Sequence, residues 1–281
     1  MARIFTSNWK DYELIDAGND LKLERWGKII TIRPDRNAYF TPQLSMGEWK
    51  EKAHFEFKEI TRNKGEWKVL KNDVPQEWQL SFKSLVFNIK LTQFKHVGLF
   101  PEQAVNWEFI QDNLKPEGRF LNLFGYTGGA SIAARAVGAD VFHCDSVKQI
   151  NAWAKENMES SNLNDIHWVH DDALKFAQRE LKRGNKYDGI IMDPPAFGLG
   201  AKKERWKIED KFAELLETTM GLLSNDGFLI ANTYSPRLKA KQINEIAKQY
   251  TGGKRKVEVN VLANKTTSGK FIEYGDLTRI Y

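Results

Sequence analysis

At 281 residues with 41% hydrophobic content, the chain has room for one full-sized α/β domain and a smaller attachment, each with its own core. No apolar stretch reaches the roughly 18 residues of a membrane-spanning helix, and the N-terminal MARIFTSNWKDYELIDAG lacks the apolar run of a secretory signal, so a cytoplasmic protein without membrane contact is expected. The single Cys144 excludes an internal disulfide, the five scattered histidines form no metal-ligand pattern, and a net charge of +5 permits nucleic acid without requiring it.

The first 95 residues read as short strands broken by turns: YELI, KLERWGKIITIRP, HFEFKEI, WKVL and WQLSFKSLVFNIKL, the last with alternating apolar positions. Six of the nine tryptophans fall within residues 1–107. A small antiparallel β domain over 1–95 is predicted, with those indoles filling its core rather than forming a base-stacking surface. A linking segment, residues 96–118, follows. Pro101 suits a helix start and Pro116 with Gly118 its end, so a helix is predicted over 101–114.

From Arg119 to Tyr281 apolar runs of strand length alternate with amphipathic segments of helix length, the pattern of βαβ units and a parallel sheet. Strands are predicted at 120–124, 140–144, 166–170, 187–192, 227–233, 256–262 and 272–280. Too few residues separate the last two for a crossover helix, so they should form an antiparallel hairpin. Residues 237–281 carry ten Lys and Arg against four Asp and Glu, whereas 111–236 carry fifteen against eighteen. The basic excess therefore sits at the C-terminal end.

Two loops stand out. LNLFGYTGGAS, residues 121–131, places Gly125, Gly128 and Gly129 after a strand, where the backbone can turn sharply and approach a ligand at the carboxyl edge of a doubly wound sheet. Asp145 closes the next strand and can accept both hydroxyls of a ribose; Asp172 follows the third and can accept an adenine amino group. The spacing is G-x-x-G-G, neither the G-x-G-x-x-G of dinucleotide sites nor a phosphate loop, so S-adenosylmethionine is the adenosine cofactor that fits. In the second loop, YDGIIM runs into Asp193, Pro194, Pro195, Ala196 and Phe197. Two prolines stiffen the backbone leaving the strand, Asp193 can accept hydrogen bonds from a planar substrate's amino group, and Phe197 can cover its ring. Methyl transfer from a sulfonium is an in-line displacement that needs mainly aiming and exclusion of water, which a rigid loop supplies.

These motifs resemble those of the class I S-adenosylmethionine-dependent methyltransferases, and within them the bacterial family related to the large-subunit ribosomal RNA methyltransferases. DAGNDLKLERWG, FKHVGLFPEQAVNW and KFAQRELKRGNKYDGIIMDPPAFG extend the likeness beyond the two loops. The resemblance implies a Rossmann-like α/β fold with a seven-stranded sheet, the last strand antiparallel, beside the small β-rich N-terminal domain. It also implies that Phe124, Tyr126, Thr127, Gly128 and Gly129 surround the methionine part, that Asp145 with Ser146 meets the ribose, and that Asp172 and Ala173 lie near the adenine. His96, Phe100 and Gln103 become candidates for the methionine end, and Asp193, Pro194, Pro195 and Phe197 for the reaction centre.

Relatives that methylate carbon 5 of a pyrimidine use a cysteine nucleophile. Here the segment after the fifth predicted strand reads ANTYSP and Cys144 lies inside the second, which favours direct transfer to a purine nitrogen. The run GLGAKKERWKIEDKF places Lys202, Lys203, Arg205 and Trp206 where RNA, ribosomal RNA above all, could be held, the cations on phosphates and the indole on a base. Taken alone, such a charged run is ordinary surface. A small-molecule or protein methyltransferase and a non-catalytic cofactor- or RNA-binding protein stay open as alternatives, as does the oligomeric state.

Overall fold

The structure is a computed structural model and describes residues 1–61, 64–199 and 205–281. The chain divides into two compact units, one of residues 1–4, 105–262 and 275–281, the other of residues 5–104 and 263–274.

After the two-residue strand β1 (Arg3–Ile4), the chain enters the smaller unit with β2 (Tyr12–Gly18), β3 (Leu21–Trp26) and β4 (Ile29–Pro34), an antiparallel meander. Helix α1 (Met46–Lys52) leads to β5 (Phe55–Thr61) and β6 (Lys64–Val69), which complete a five-stranded sheet. β7 (Glu77–Phe82) and β8 (Leu85–Lys90) form a separate hairpin. The expectation of a purely antiparallel domain needs correction, because β4 and β5 pair in parallel. Parallel neighbours require a crossover, and α1 supplies it. A capping box starts that helix: Ser45 Oγ accepts from the Glu48 amide at 3.3 Å, and the Ser45 amide donates back to Glu48 Oε2 at 2.8 Å.

Tryptophans do fill this core. Trp26 and Trp49 are fully buried, and Trp9 is 8% exposed. Trp49 donates its indole N–H to the buried Asp16 at 3.0 Å, and the same carboxylate accepts the amides of Ala17 and Leu44 at 2.8 Å and of Gln43 at 3.0 Å. A buried ion cluster crosses β3 and β4: Arg33 Nε lies 2.7 Å from Glu24, and Lys22 Nζ 3.1 Å from Asp35. Burial pushes the Glu24 carboxyl up, but Arg33 and Lys22 outweigh it and hold the group below its ordinary range.

Past a 3₁₀ turn at Pro101–Gln103, α2 (Ala104–Asn113) leads into the larger unit. There the chain alternates β9 (Arg119–Leu123), α3 (Gly129–Ala136), β10 (Asp140–Asp145), α4 (Lys148–Ser160), β11 (Ile166–His170), α5 (Ala173–Lys182) and β12 (Tyr187–Met192). A two-stranded ribbon, β13 (Phe197–Leu199) and β14 (Arg205–Lys207), precedes α6 (Ile208–Leu222), β15 (Leu223–Thr233), α7 (Ala240–Thr251), β16 (Val257–Lys265) and β17 (Phe271–Ile280). The sheet order is β1-β16-β17-β15-β12-β9-β10-β11.

β17 runs antiparallel to β15, with Leu229 opposite Ile280, and the short connection at residues 266–270 joins it to its other neighbour, β16. Instead of the seven strands expected there are eight, because β1 adds itself in parallel to β16, Arg3 opposite Val261 and Ile4 opposite Leu262. Two residues carry no periodic signal, so only long-range pairing reveals this strand. The central strands are near-continuous apolar runs because both faces are covered. Leu121, Leu123, Ile190, Met192, Leu229 and Ala231 are fully buried, and α6 presses Phe212, Leu215 and Leu216 into that core.

Candidate active site at the carboxyl edge of the sheet

The centre of the larger unit is the pair β9 and β12, parallel neighbours with Leu123 opposite Met192. Their carboxyl ends deliver the glycine loop and the diproline loop side by side, and the Asp193 amide donates to the Leu123 carbonyl at 3.3 Å, joining the two loops at their bases.

The glycine loop is strained and firmly held. Phe124 (φ 60°), Tyr126 (φ 48°) and Gly128 (φ 86°) all occupy the left-handed region, and only at the last does the side chain present no obstacle. A Cβ at Gly125 would stand 2.4 Å from the His143 ring. That ring is fully buried, and Ser131 Oγ lies 2.9 Å from its Nδ1 while accepting from Asn122 Nδ2 at 2.9 Å. Burial lowers His143 to about 4, so a neutral imidazole supports the loop from below at physiological pH. Asn157 Nδ2 donates to the Thr127 carbonyl at 2.9 Å, and Gly128 then caps α3, with Ile132 N reaching its carbonyl at 2.8 Å. Thr127 is buried with 1% exposure, whereas Phe124, Tyr126 and Gly129 are half-buried.

Asp145 closes β10, and its carboxylate holds the backbone on both sides. One carboxylate oxygen accepts the Tyr126 amide at 3.0 Å and the other the Val147 amide at 2.9 Å. Burial raises this carboxyl, against the lowering effect of those amides, and each oxygen keeps a further lone pair for a ribose hydroxyl. Ser146 is exposed beside it. Asp172 is the N-cap of α5, its Oδ1 accepting the Lys175 amide at 2.9 Å, and Ala173 is buried in the first turn.

Asp193 is half-buried at the end of β12, Pro194 is buried, and Pro195 and Phe197 are exposed, the latter at 58%. Burial pushes the Asp193 carboxyl up to about 6, partly offset by hydrogen bonds from Tyr234 and Asn232. Behind it runs a polar chain that the sequence did not disclose. Arg279, stacked 4.2 Å over Phe109, donates to Asn106 Oδ1 at 3.3 Å, and Asn106 Nδ2 donates to Asn232 Oδ1 at 3.3 Å. The only trace in the sequence was ANTYSP closing the fifth predicted strand.

Trp206, half-buried on β14, donates its indole N–H to the Pro195 carbonyl at 2.7 Å and packs 5.3 Å from the Phe124 ring. Arg205 is exposed beside it, and Lys202 and Lys203 lie outside the described residues. His96, Phe100 and Gln103 belong to the smaller unit, where the first two rings stand 5.0 Å apart and Gln103 is 7% exposed. Cys144 is fully buried within β10; burial and the nearby Asp171 push its thiol far up. Among the described residues no cluster of metal-ligating side chains occurs, and no helix is long and apolar enough to cross a membrane.

The donor set decides which cofactor this edge fits. Residues 124–131 contain neither Lys nor Arg, while Asp145 ends β10 and Asp172 and Asp193 follow β11 and β12, the strands on either side of the β9–β10 pair. A sulfonium with an ammonium group meets charge of opposite sign there, whereas a pyrophosphate would meet charge of its own sign.

Class and comparison agree. Residues 50–258 match the family model described as S-adenosylmethionine-dependent methyltransferase, and the chain belongs to that family. Its structure is similar to the crystal structure of the SAM-dependent methyltransferase from Agrobacterium tumefaciens, at 34% identity and a TM-score of 0.92, over 99% of this chain and 93% of that one. Among curated proteins it is similar to the ribosomal RNA large subunit methyltransferase K/L of Shewanella frigidimarina, 29% identical over 75% of this chain and 27% of that protein. The Pseudoalteromonas translucida protein of the same name is 31% identical over 51% of this chain and 20% of that protein. The chain thus spans about a quarter of the length of the curated relatives it matches. The protein is an S-adenosylmethionine-dependent methyltransferase.

Proposed function

We propose that this enzyme methylates RNA, ribosomal RNA in the first instance, at a purine nitrogen by direct in-line transfer. The observation that carries the reading is the joining of the glycine loop and the diproline loop by the bond from Asp193 to Leu123, which sets acceptor and donor loops side by side. When bound, the cofactor supplies an electrophilic methyl on a sulfonium. The chain's own part is to hold and aim. The residues of the glycine loop, Phe124 to Gly129, cradle the methionine part, Asp145 with Ser146 takes the ribose, and Asp172 with Ala173 borders the adenine. Asp193 accepts from the amino group of the target base, Pro194 and Pro195 keep that acceptor still, and Phe197 covers the ring.

Two features favour nitrogen. Cys144 is buried with its thiol held protonated, so it offers no nucleophile to activate a pyrimidine carbon. A ring or exocyclic nitrogen carries its own lone pair and needs only alignment. RNA as the substrate is supported by the names of the curated relatives and by exposed Arg205 and Lys207 on the ribbon that leaves the reaction loop.

The test is to incubate the protein with tritiated cofactor and total RNA from a strain lacking it, then to digest the RNA and identify the labelled nucleoside. An N-methylpurine is expected; label in protein or metabolites would overturn the RNA reading, and label at a pyrimidine carbon the chemistry. Asp193→Asn should abolish turnover while still binding S-adenosylhomocysteine, which a non-catalytic binding protein could not display.

A further inference from the structure

The two loops are joined twice. At their bases the bond from the Asp193 amide to the Leu123 carbonyl is part of the sheet edge. At their tips the link is one side chain from a third segment: Trp206 reaches Pro195 with its indole N–H at 2.7 Å and lies 5.3 Å from Phe124, the rings inclined at 56°. Phe124 stands in a left-handed conformation (φ 60°) that a residue with a bulky side chain holds only when its surroundings impose it. Pro195 is exposed, and while the next carbonyl, that of Ala196, accepts the Ile208 amide of α6 at 3.1 Å, the Pro195 carbonyl is held by the Trp206 indole. Trp206 is itself fixed by backbone pairing with Gly198 across the ribbon.

From this geometry we propose that Trp206 is a positioning residue, a strut that sets the separation of the acceptor-aiming loop from the cofactor loop, rather than a platform on which a substrate base stacks. The inference rests on the reading of those loops given above. It also gives the ribbon a use beyond contact with phosphates. Arg205 and Lys207 flank Trp206 on β14, so substrate held by the ribbon is registered against both loops through one rigid indole. In-line displacement is sensitive to such registration, since a misplacement of about 1 Å can reduce rate by about 100-fold.

Two substitutions separate the strut's two contacts. Trp206→Phe keeps a ring against Phe124 and loses the bond to Pro195; kcat should fall about fivefold, as expected for a net hydrogen bond of about 1 kcal/mol, with S-adenosylhomocysteine affinity within about twofold of the parent. Trp206→Ala releases Phe124 as well, so kcat should fall further, on the order of 100-fold, and cofactor affinity should weaken about fivefold. Adding Phe124→Leu to Trp206→Ala should then change little, because contacting residues are non-additive. An unchanged kcat with a raised KM for RNA in both variants would make Trp206 a stacking platform and overturn the proposal. So would equal losses in both variants that track a lowered unfolding midpoint. If the parent enzyme transfers no label to RNA, the substrate reading fails alone, because the calorimetric titration of Trp206→Ala with S-adenosylhomocysteine still tests the Phe124 arm.

Discussion

Replacing Asp193 by Asn should make the protein more stable at pH 8 while removing its activity. Asp193 has its pKa pushed from the ordinary 3.8 to about 6 by burial, against the help of Tyr234 and Asn232. Because the folded-state value is raised, the native state holds this proton more tightly than the unfolded chain. That contribution to stability is fully present below about pH 4 and is lost as pH rises through about 6. A shift of about two units corresponds to about 3 kcal/mol at 1.36 kcal/mol per unit. Asp193 as a residue is half-buried although its Oδ1 is shielded from solvent, so the gain expected of the uncharged Asn is set below that full figure, about 1–2 kcal/mol at pH 8 and close to zero at pH 4. Urea unfolding of both proteins at the two pH values, without cofactor, measures the difference directly. The reasoning is refuted if the Asn variant is the less stable at pH 8, or if its advantage does not change with pH.

Other perturbations probe other parts of the chain. Gly125→Ala drives a methyl group into the boxed-in His143 ring, so a loss of about 1–3 kcal/mol in unfolding free energy should accompany weakened S-adenosylhomocysteine binding by calorimetry. Cys144→Ala should retain label transfer within about threefold, because the thiol has no part in the chemistry; a loss of 100-fold or more without unfolding would reinstate a covalent route. In the smaller unit, Asp16→Ala strands the amides of Ala17, Gln43 and Leu44 and the Trp49 indole, and should lower stability by about 3 kcal/mol or more in denaturant titration.

Much of this architecture was legible from local chemistry. The β12 run, residues 187–192, matches the expected bounds, as does β11 at 166–170, because apolar strands of a covered parallel sheet end where glycine, proline or a carboxylate interrupts them. The glycine loop and diproline corner were visible for the same reason: each depends on backbone preferences of a few consecutive residues. Helix α1 was missed, being short and amphipathic amid strands, although Ser45 and Glu48 spell its capping box. Trp206 stood out in the sequence as a candidate substrate contact, but whether its indole faces outward or toward Pro195 depends on the cross-ribbon register, since a one-residue slip would turn it to the other side.

By itself, then, the order of residues determined the alternation of strands and helices, the two candidate loops and the acidic character of the sheet's carboxyl edge, all set within spans of about a dozen residues by steric preference and hydrophobic period. Tertiary structure alone decided that β1 pairs with β16, that β4 and β5 run parallel, and that Asn106 and Asn232, 126 positions apart, meet behind Asp193. Those arrangements rest on hydrogen bonds between distant segments, and a partner far along the chain leaves no periodic mark on its neighbours. It becomes a partner only when burial removes water as the alternative.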